Sequence, residues 1–421
     1  MNVKLHSSPY RKRPLGEVAD VISGFAFKST DFGDKGIPVI KIKNIRLGYV
    51  DLNDASYVDE KHLSIPDRFH VKNGDVLISL TGSHITQPNS VVGRIARHSD
   101  GQPRCLLNQR AGKIIVKDMR VCDPRFLFYA LSEQETMLAI AVKAHGAASQ
   151  ANVSPSQVES IEISFPPLPV QQRIAGILFA YDELIENSLR RIKILEALAR
   201  GLYREWFVHF RFPGHENHPR VASALGEIPE GWEVKKLGDL FTYRRRATKP
   251  GAHLEERRYV PIDCLPPKSL ALLEARPTEE AQSSLQLFEK GDILFGAMRP
   301  YFHKVVVAPF PGVTRTTCFV FQPVKPEWHA FATMTAFDDA TVAYANAHSQ
   351  GATIPYAVWD GSLSEMPFVL PPTEVLQRFE AAVAPMLSRL SQSFFALGNL
   401  RRTRDLLLPR LLSGQINVEA P

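Results

Sequence analysis

Residues 168–212 read LPVQQRIAGILFAYDELIENSLRRIKILEALARGLYREWFVHFRF, with no proline from Gln171 to Phe212. Apolar side chains recur at Ile174, Leu178, Tyr181, Ile185, Leu189, Ile192, Leu195, Ala199, Leu202 and Trp206. Steps of three and four place them on one face of a single helix. At 1.5 Å per residue, some forty residues form a rod of roughly 60 Å. A helix that long with so narrow a stripe needs a second helix to cover it.

The partner lies in the same chain. An offset of 205 positions carries the stripe onto Phe379, Val383, Met386, Leu390, Phe394, Leu397, Leu400, Arg404, Leu407 and Leu411, of which only Arg404 is not apolar. The same offset links Gly146 to Gly351, Pro166 to Pro371 and Arg173 to Arg378. Further upstream, Leu15 corresponds to Leu237 and Gly74 to Gly291, with offsets of 222 and 217. The chain is therefore a duplicated unit whose second copy is shortened in its loops. Different loops on one framework suggest two modules with different targets.

At 421 residues the chain suits two domains plus connecting elements. Its 44% hydrophobic and 22% charged residues are ordinary for a globular protein. No run of 18 apolar residues spans a bilayer, and the opening MNVKLHSSPYRKRPLGE has no apolar stretch of the signal-peptide kind, so a cytoplasmic location and no membrane partner are expected. Cys105, Cys122, Cys264 and Cys318 lack metal-ligand spacing and are expected to be reduced, buried thiols, with no metal site. A net charge of +6 is a mild pointer to a polyanion.

Residues 1–13 end in Arg11, Lys12 and Arg13 and read as a mobile basic arm. Short β-like runs follow, EVADVISGFAF, IPVIKIKNI, GDVLISL, VVGRIARH and GKIIVKD, broken by Gly33, Gly36, Asn73-Gly74 and Asp100-Gly101. Arg125 to Val142 has a helical period, and VESIEISFPPLP reads as a last strand. The predicted fold class is α+β: two homologous mixed modules separated by a long antiparallel two-helix coiled coil, with pseudo-twofold symmetry. The boundaries are 1–165 for the first module with its arm, 166–212 for the first spacer helix, 213–370 for the second module and 371–421 for the second helix. Pro385 falls inside the second helix, where a bend or an interrupted first turn is expected.

With these segments in order, the chain resembles the specificity subunits of type I restriction-modification enzymes. The resemblance rests on IPEGWEVKKLGDL opening the second module, the GDVLISLTGS and GDILFGAMRP turns, FPPLPVQQRI and VLPPTEVLQRF leading into the helices, and LYREWFVHF closing the first. It covers nearly the whole chain. Glu-Gln is usual in that family where Gln171-Gln172 and Leu376-Gln377 stand here. The resemblance implies that each module is a target recognition domain reading one half of a split, asymmetric site in double-stranded DNA. It implies that the helices set the gap and bind two methyltransferase subunits, joined by two restriction subunits in complexes that cleave. S-adenosylmethionine, Mg and ATP would then belong to those partners, with no cofactor on this chain. A spacer of some 60 Å is compatible with modules placed about one helical turn of DNA apart, roughly 34 Å, or a multiple of it.

Base edges are read by Arg, Lys, Asn and Gln, and phosphates are held by basic or hydroxyl groups on projecting loops. In the first module the DNA candidates are Lys41, Lys43, Asn44 and Arg46; Thr81, Ser83 and His84, with Thr86 and Gln87; Asn108, Gln109 and Arg110; and Gln150, with His145, Ser149 and Asn152. In the second they are Arg244, Arg245, Arg246 and Lys249; Arg299, Tyr301, His303 and Lys304; and Arg315 and Gln350, with Thr316, Ser349 and Tyr356. The Arg244–Lys249 group is read as an anion site because no acid is adjacent in sequence. Arg190, Arg191, Trp206, Phe207, Phe210, Arg401 and Arg402 are candidates for binding the partner subunits. The aromatics among them read first as core packed under the second module, with an exposed anchor for a partner helix as the functional reading.

No catalytic residue is read in this chain. A methyltransferase needs a glycine-rich cofactor loop and an Asn-Pro-Pro-aromatic type motif, whereas FPPLP and LPPTE have only the prolines; no phosphate-binding GxxxxGK[ST] occurs either. The alternatives are a stand-alone DNA methyltransferase or nuclease fused to recognition domains, and a coiled-coil scaffold that does not touch DNA.

Overall fold

The structure is a computed structural model that describes residues 10–84, 91–147 and 150–418. It contains two compact units, Met1–Glu183 with Arg402–Pro421, and Leu184–Arg401. Each unit holds one α+β module and a portion of both long helices.

The long helices are Leu168–Tyr203 and Thr373–Leu412. Along the first, Gln171, Leu178, Ile185, Ile192 and Ala199 are buried, one every seven residues. Along the second, Leu376, Val383, Leu390, Leu397 and Leu411 follow the same beat, displaced by 205. A strict seven-residue repeat keeps one seam facing a partner if the two helices supercoil gently. In the first unit Ile174 and Leu178 share a core with Leu407, Leu408, Leu411 and Leu412. In the second, Ile185, Ile192 and Ala199 share one with Phe379, Val383, Leu390 and Leu397. The start of one helix thus meets the end of the other, so the pair is antiparallel.

Several details depart from expectation. The first helix stops being α-helical at Tyr203, and Arg204–Val208 form a π-helical turn before Phe210 takes a left-handed φ of 57°. Tyr203 and Phe207 are buried there, while Leu202 and Trp206 are half-exposed. The interrupted first turn expected at Pro385 is absent: the second helix continues through this exposed residue, and the carbonyl it leaves without an N–H partner can face water. Of the arm read over residues 1–13, residues 1–9 lie outside the described residues, while Lys12 and Arg13 belong to a strand, Lys12–Pro14, that pairs antiparallel with Glu162–Ser164. Backbone groups along the Glu162–Ser164 edge would otherwise lack partners.

The two modules repeat one framework. In the first, the strands Ala19–Ser23, Ala111–Val116, Val76–Ser79 and Ile95–Arg97 lie side by side in that order. In the second the same order is filled by Phe241–Tyr243, Cys318–Pro323, Ile293–Gly296 and Val305–Val307. A second sheet in each pairs a parallel neighbour with an antiparallel one: Ile37–Ile40 and His70–Val71 flank Cys105–Leu107, as Arg258–Tyr259 and Leu285–Phe288 flank Gly312–Arg315. Glu233–Lys236 pairs with Pro367–Leu370 as Lys12–Pro14 does with its partner, and Leu15 and Leu237 are both buried just beyond. The helix read across Arg125–Val142 is in fact two, Pro124–Ser132 and Gln134–Val142, divided at the extended Glu133. Phe126 to Leu131 are all buried, and the break folds the second helix back as cover. The other copy divides likewise at Asp338, between His329–Phe337 and Asp339–Ala347.

Polar side chains lock the long helices to the modules. Gln171, buried to 1% exposure, accepts from the Asp123 N–H at 2.9 Å and donates to the Val121 and Pro166 carbonyls. The Glu380 carboxylate accepts from the Ala330 N–H at 2.7 Å, and Glu196 accepts from Ser269 Oγ and the N–H groups of Leu270 and Ala271. Arg404, the break in the apolar stripe, donates to Asp182 at 2.7 Å, and Asp182 also accepts from Tyr129 OH at 2.6 Å. The four cysteines are buried free thiols, and burial pushes Cys105 and Cys122 up to about 12.

Arg404→Ala is expected to lower the stability of the first unit by about 1–3 kcal/mol, the range for losing a hydrogen bond to a charged group. Replacing Asp182 and Arg404 together with leucine should restore most of it. Circular dichroism in urea checks this, with tryptophan fluorescence as control, since Trp206, Trp232, Trp328 and Trp359 all lie in the other unit. A double variant no more stable than Arg404→Ala would refute the account.

His98 has 0% exposure, and burial lowers its pKa below the ordinary value while the Pro103 carbonyl and Asp75 oppose the shift. The folded state therefore binds fewer protons than the unfolded one. The stability this group confers is present above the unfolded pKa of about 6.5 and is lost as pH falls below it. Unfolding of the first unit, measured from pH 7.5 to 5, should become easier on the acid side, and His98→Gln should flatten that slope.

Candidate nucleic-acid interface

In the first module, three segments meet beyond the end of the strand Val76–Ser79. The Leu80 N–H donates to the Arg110 carbonyl at 3.1 Å, which places the Asn108–Arg110 turn beside it. Thr81 and Gly82 pair with Asn152 and Ala151, and Gln150–Asn152 pairs in turn with His145–Ala147. Thr81, expected as a contact, is buried, and its Oγ1 donates to Asn152 Oδ1 at 2.7 Å. The Asn108 N–H reaches the carbonyl of Ile40, so Lys41 joins the same end. Burial, and then the neighbouring Lys43, lower the pKa of the Lys41 ammonium. Lys41, Thr81, Ser83, His84, Asn108, Gln109, Arg110 and Gln150 are thus collected by strand ends remote in sequence.

The second module repeats the junction with other side chains. The Ala297 N–H donates to the Thr317 carbonyl at 2.9 Å, as Leu80 does to Arg110. The Arg299 N–H donates to the Pro355 carbonyl at 2.7 Å, and Gln350 and Tyr356 exchange backbone bonds at 2.8 Å. Tyr356 OH donates to the Thr316 carbonyl. Gly146, within the strand His145–Ala147, and Gly351 occupy positions related by the 205 offset, with φ of 140° and 96°; a Cβ there would come within 2.4 Å of the Gln150 carbonyl oxygen and 2.6 Å of that of Ile354. Only glycine fits. Arg299, Arg315, Thr316 and Gln350 are exposed at this end.

The turn from Arg299 to Lys304 has an unusual backbone. Arg299 and His303 are both left-handed, with φ of 51°, at a cost of about 1–2 kcal/mol each. His303 is buried; its Nε2 donates to the Phe337 carbonyl at 2.9 Å, its Nδ1 lies 3.3 Å from the Asp339 carboxylate, and burial lowers its pKa. Between them Tyr301 and Phe302 stand half-exposed, their rings 4.7 Å apart. Phe302 was not among the expected contacts, because base-edge chemistry selects polar side chains.

Other expected residues are engaged elsewhere. Asn44 is buried, accepting from the Lys41 N–H and donating to the Asp51 carbonyl. Lys43 pairs with Asp54 at 2.6 Å and Arg46 with Asp51 at 3.5 Å. The Arg244–Lys249 group, expected to lack acids, has them in the fold. Arg244 donates to Gln322 and lies 3.6 Å from the buried Asp292, and Arg245 pairs with Asp360, both acids brought from distant segments. Arg246 and Lys249 are exposed. Lys304 donates to the Ile262 carbonyl at 2.9 Å. Thr86, Gln87 and Ser149 lie outside the described residues.

For the aromatic helix end, packing is what the geometry supports. Phe207 is buried against Phe379 and Phe331 at 4.7 and 4.8 Å, Trp206 lies 5.6 Å from Phe379, and Phe210 lies 5.5 Å from Trp232. Arg190, Arg191 and Arg402 are exposed, and Arg401 is half-buried. Sequence reading missed Leu184, Ile194 and Leu198, large apolar side chains about half-exposed on the first helix. Leu184 and Leu198 each sit one position before a buried member of the heptad stripe. Among the described residues, no helix is long and apolar enough to cross a membrane, and no three His, Cys, Asp or Glu side chains are grouped to hold a metal ion.

Comparison with known proteins agrees with this arrangement. The family model for the type I restriction modification DNA specificity domain matches twice, over residues 7–197 and 229–393. The type I restriction enzyme MjaIX specificity subunit of Methanocaldococcus jannaschii is 26% identical over 328 residues, 74% of this chain and 73% of that protein. The MjaVIII specificity subunit of the same organism is 27% identical over 48% of this chain and 45% of its own length. The crystal structure of a type I restriction-modification system S subunit from M. genitalium superposes with a TM-score of 0.59 at 16% identity, covering 98% of both chains, and so shares the fold. A family match that takes in most of both modules, most of the first long helix and about half of the second leaves one conclusion: the chain belongs to the type I restriction-modification DNA specificity family.

Proposed function

We propose that this chain reads a bipartite, asymmetric site in double-stranded DNA for a type I restriction-modification complex, one half-site per module. The observation that carries this reading is the junction built twice from the same three backbone segments but furnished with different side chains. Asn108, Gln109, Arg110 and Gln150 occupy one copy, and Arg299, Arg315, Thr316 and Gln350 the other. A common scaffold with unlike contact groups selects unlike sequences, since specificity lies in the base-edge contacts and not in the framework.

On this reading the chain itself performs no chemistry. Two methyltransferase subunits bind along the helices, where exposed Leu184, Ile194 and Leu198 offer apolar surface beside the cations Arg190 and Arg191. Two restriction subunits join when DNA is cleaved. S-adenosylmethionine serves the methyltransferase, and ATP and Mg serve translocation and cleavage, all on partner subunits in the cytoplasm.

A map of methylated bases in cells carrying the chain with its methyltransferase, against cells lacking the chain, tests the reading. The expected result is a split motif with two short, unlike halves and a fixed gap, present only with this chain. Methylation unchanged by its removal would return a stand-alone enzyme or an inert scaffold to the front.

At the level of residues, Arg299→Ala and Arg315→Ala should weaken DNA binding and reduce the slope of log K against log salt by about 0.9 for each phosphate contact removed. Arg244→Ala should leave that slope unchanged and instead lower the stability of the second module, because its guanidinium is held by Gln322 and Asp292. A salt titration showing the reverse pattern would move the phosphate site to the Arg244 group.

A further inference from the structure

Among the described residues only four non-glycine positions have a left-handed backbone: Phe210, Lys268, Arg299 and His303. Three of them converge on one turn. Arg299 and His303 bracket it, and the Lys268 N–H donates to the His303 carbonyl at 2.8 Å. Strain concentrated in this way persists only where the surroundings over-determine the conformation, and it marks sites whose geometry is used. Here the surroundings are explicit: the Arg299 N–H is held by Pro355, the Phe302 N–H by Arg299, and the buried His303 ring by Phe337 and Asp339. What this fixed turn presents to solvent is Tyr301 and Phe302, ring beside ring, 50% and 45% exposed.

Two aromatic rings on an unyielding turn are poorly suited to reading base edges, since only the Tyr301 hydroxyl can donate or accept. They suit stacking, because every base has a π-face, and apolar wedges enter duplexes by parting a base step. The flanking charge favours a polyanion: Arg299 and Lys268 are exposed at the turn, and Arg315 is exposed two residues before Thr317, whose carbonyl holds the Ala297 and Met298 N–H groups. We propose that Tyr301 and Phe302 form a rigid wedge that inserts at one base step of the half-site read by the second module and partly unstacks it. The inference rests on the DNA-reading function proposed above and adds a mode of readout to it. Sequence would then be selected at that step by ease of deformation, which favours a pyrimidine–purine step, and not by hydrogen bonds.

The test uses the full chain in complex with its methyltransferase, on duplexes carrying the mapped site with 2-aminopurine placed at successive positions of the second half. The wild-type complex should brighten the probe at one base step. The Tyr301→Ala/Phe302→Ala variant should lose that signal and bind the site on the order of 10-fold more weakly, while still co-purifying with the methyltransferase and melting at the wild-type temperature. A variant that binds and brightens the probe like the wild type overturns the wedge. So does one that binds methyltransferase poorly, which would make the rings a protein contact. If the wild type shows no site-selective binding at all, the DNA-reading function falls, and the wedge falls with it.

Discussion

Every element of this chain answers to two helices that bury a residue at every seventh position and cannot cover that surface alone. The seam from Gln171 to Ala199 and the seam from Leu376 to Leu411 are apolar almost throughout. Each long helix therefore persists only against the other and against the module it enters. That requirement explains why both units draw on both helices. It also explains why the cores are continuous from helix to sheet, with Ile174 and Leu178 sharing a cluster with Val76 and Ile78 in the first, and Ile192 with Phe295 in the second.

An apolar seam fixes which faces meet but tolerates sliding, and the polar contacts restrict it. Gln171, Glu196 and Glu380 each give a buried or part-buried side chain to backbone N–H groups of a module, where any shift would leave donors unpaired at a cost of about 1–3 kcal/mol apiece. Arg404 with Asp182 does the same between helices. The clasps differ between the copies: Gln171 holds the first, and Glu380, one turn further along its helix than the matching Leu376, holds the second. Repetition therefore lies in the packing, and the polar details have diverged around it.

The same division separates framework from function. The sheets keep their strand order, the paired helices keep their break at Glu133 and Asp338, and Gly146 and Gly351 both keep a positive φ with no room for a Cβ. The side chains projecting where three segments meet do not correspond. A rigid junction with unlike surface groups lets one framework carry two sets of projecting side chains, because the energetic demands of folding fall on the buried residues beneath them.

The sequence by itself determined the duplication, the antiparallel pairing of two long helices and the α+β character of the modules, because apolar periodicity and a constant offset are written in the order of residues. It also marked the turns that meet at the candidate interface, since the equivalent segments could be aligned. Tertiary structure alone decided which polar groups remain available. Arg244 and Arg245 read as an unopposed basic group until folding brought Asp292 and Asp360 to them, and Asn44 and His303 read as contacts until burial absorbed them. The left-handed residues that brace Tyr301 and Phe302 left no mark in composition or period. Charge pairing, burial and backbone strain depend on neighbours distant in the chain, and local spacing does not encode those neighbours.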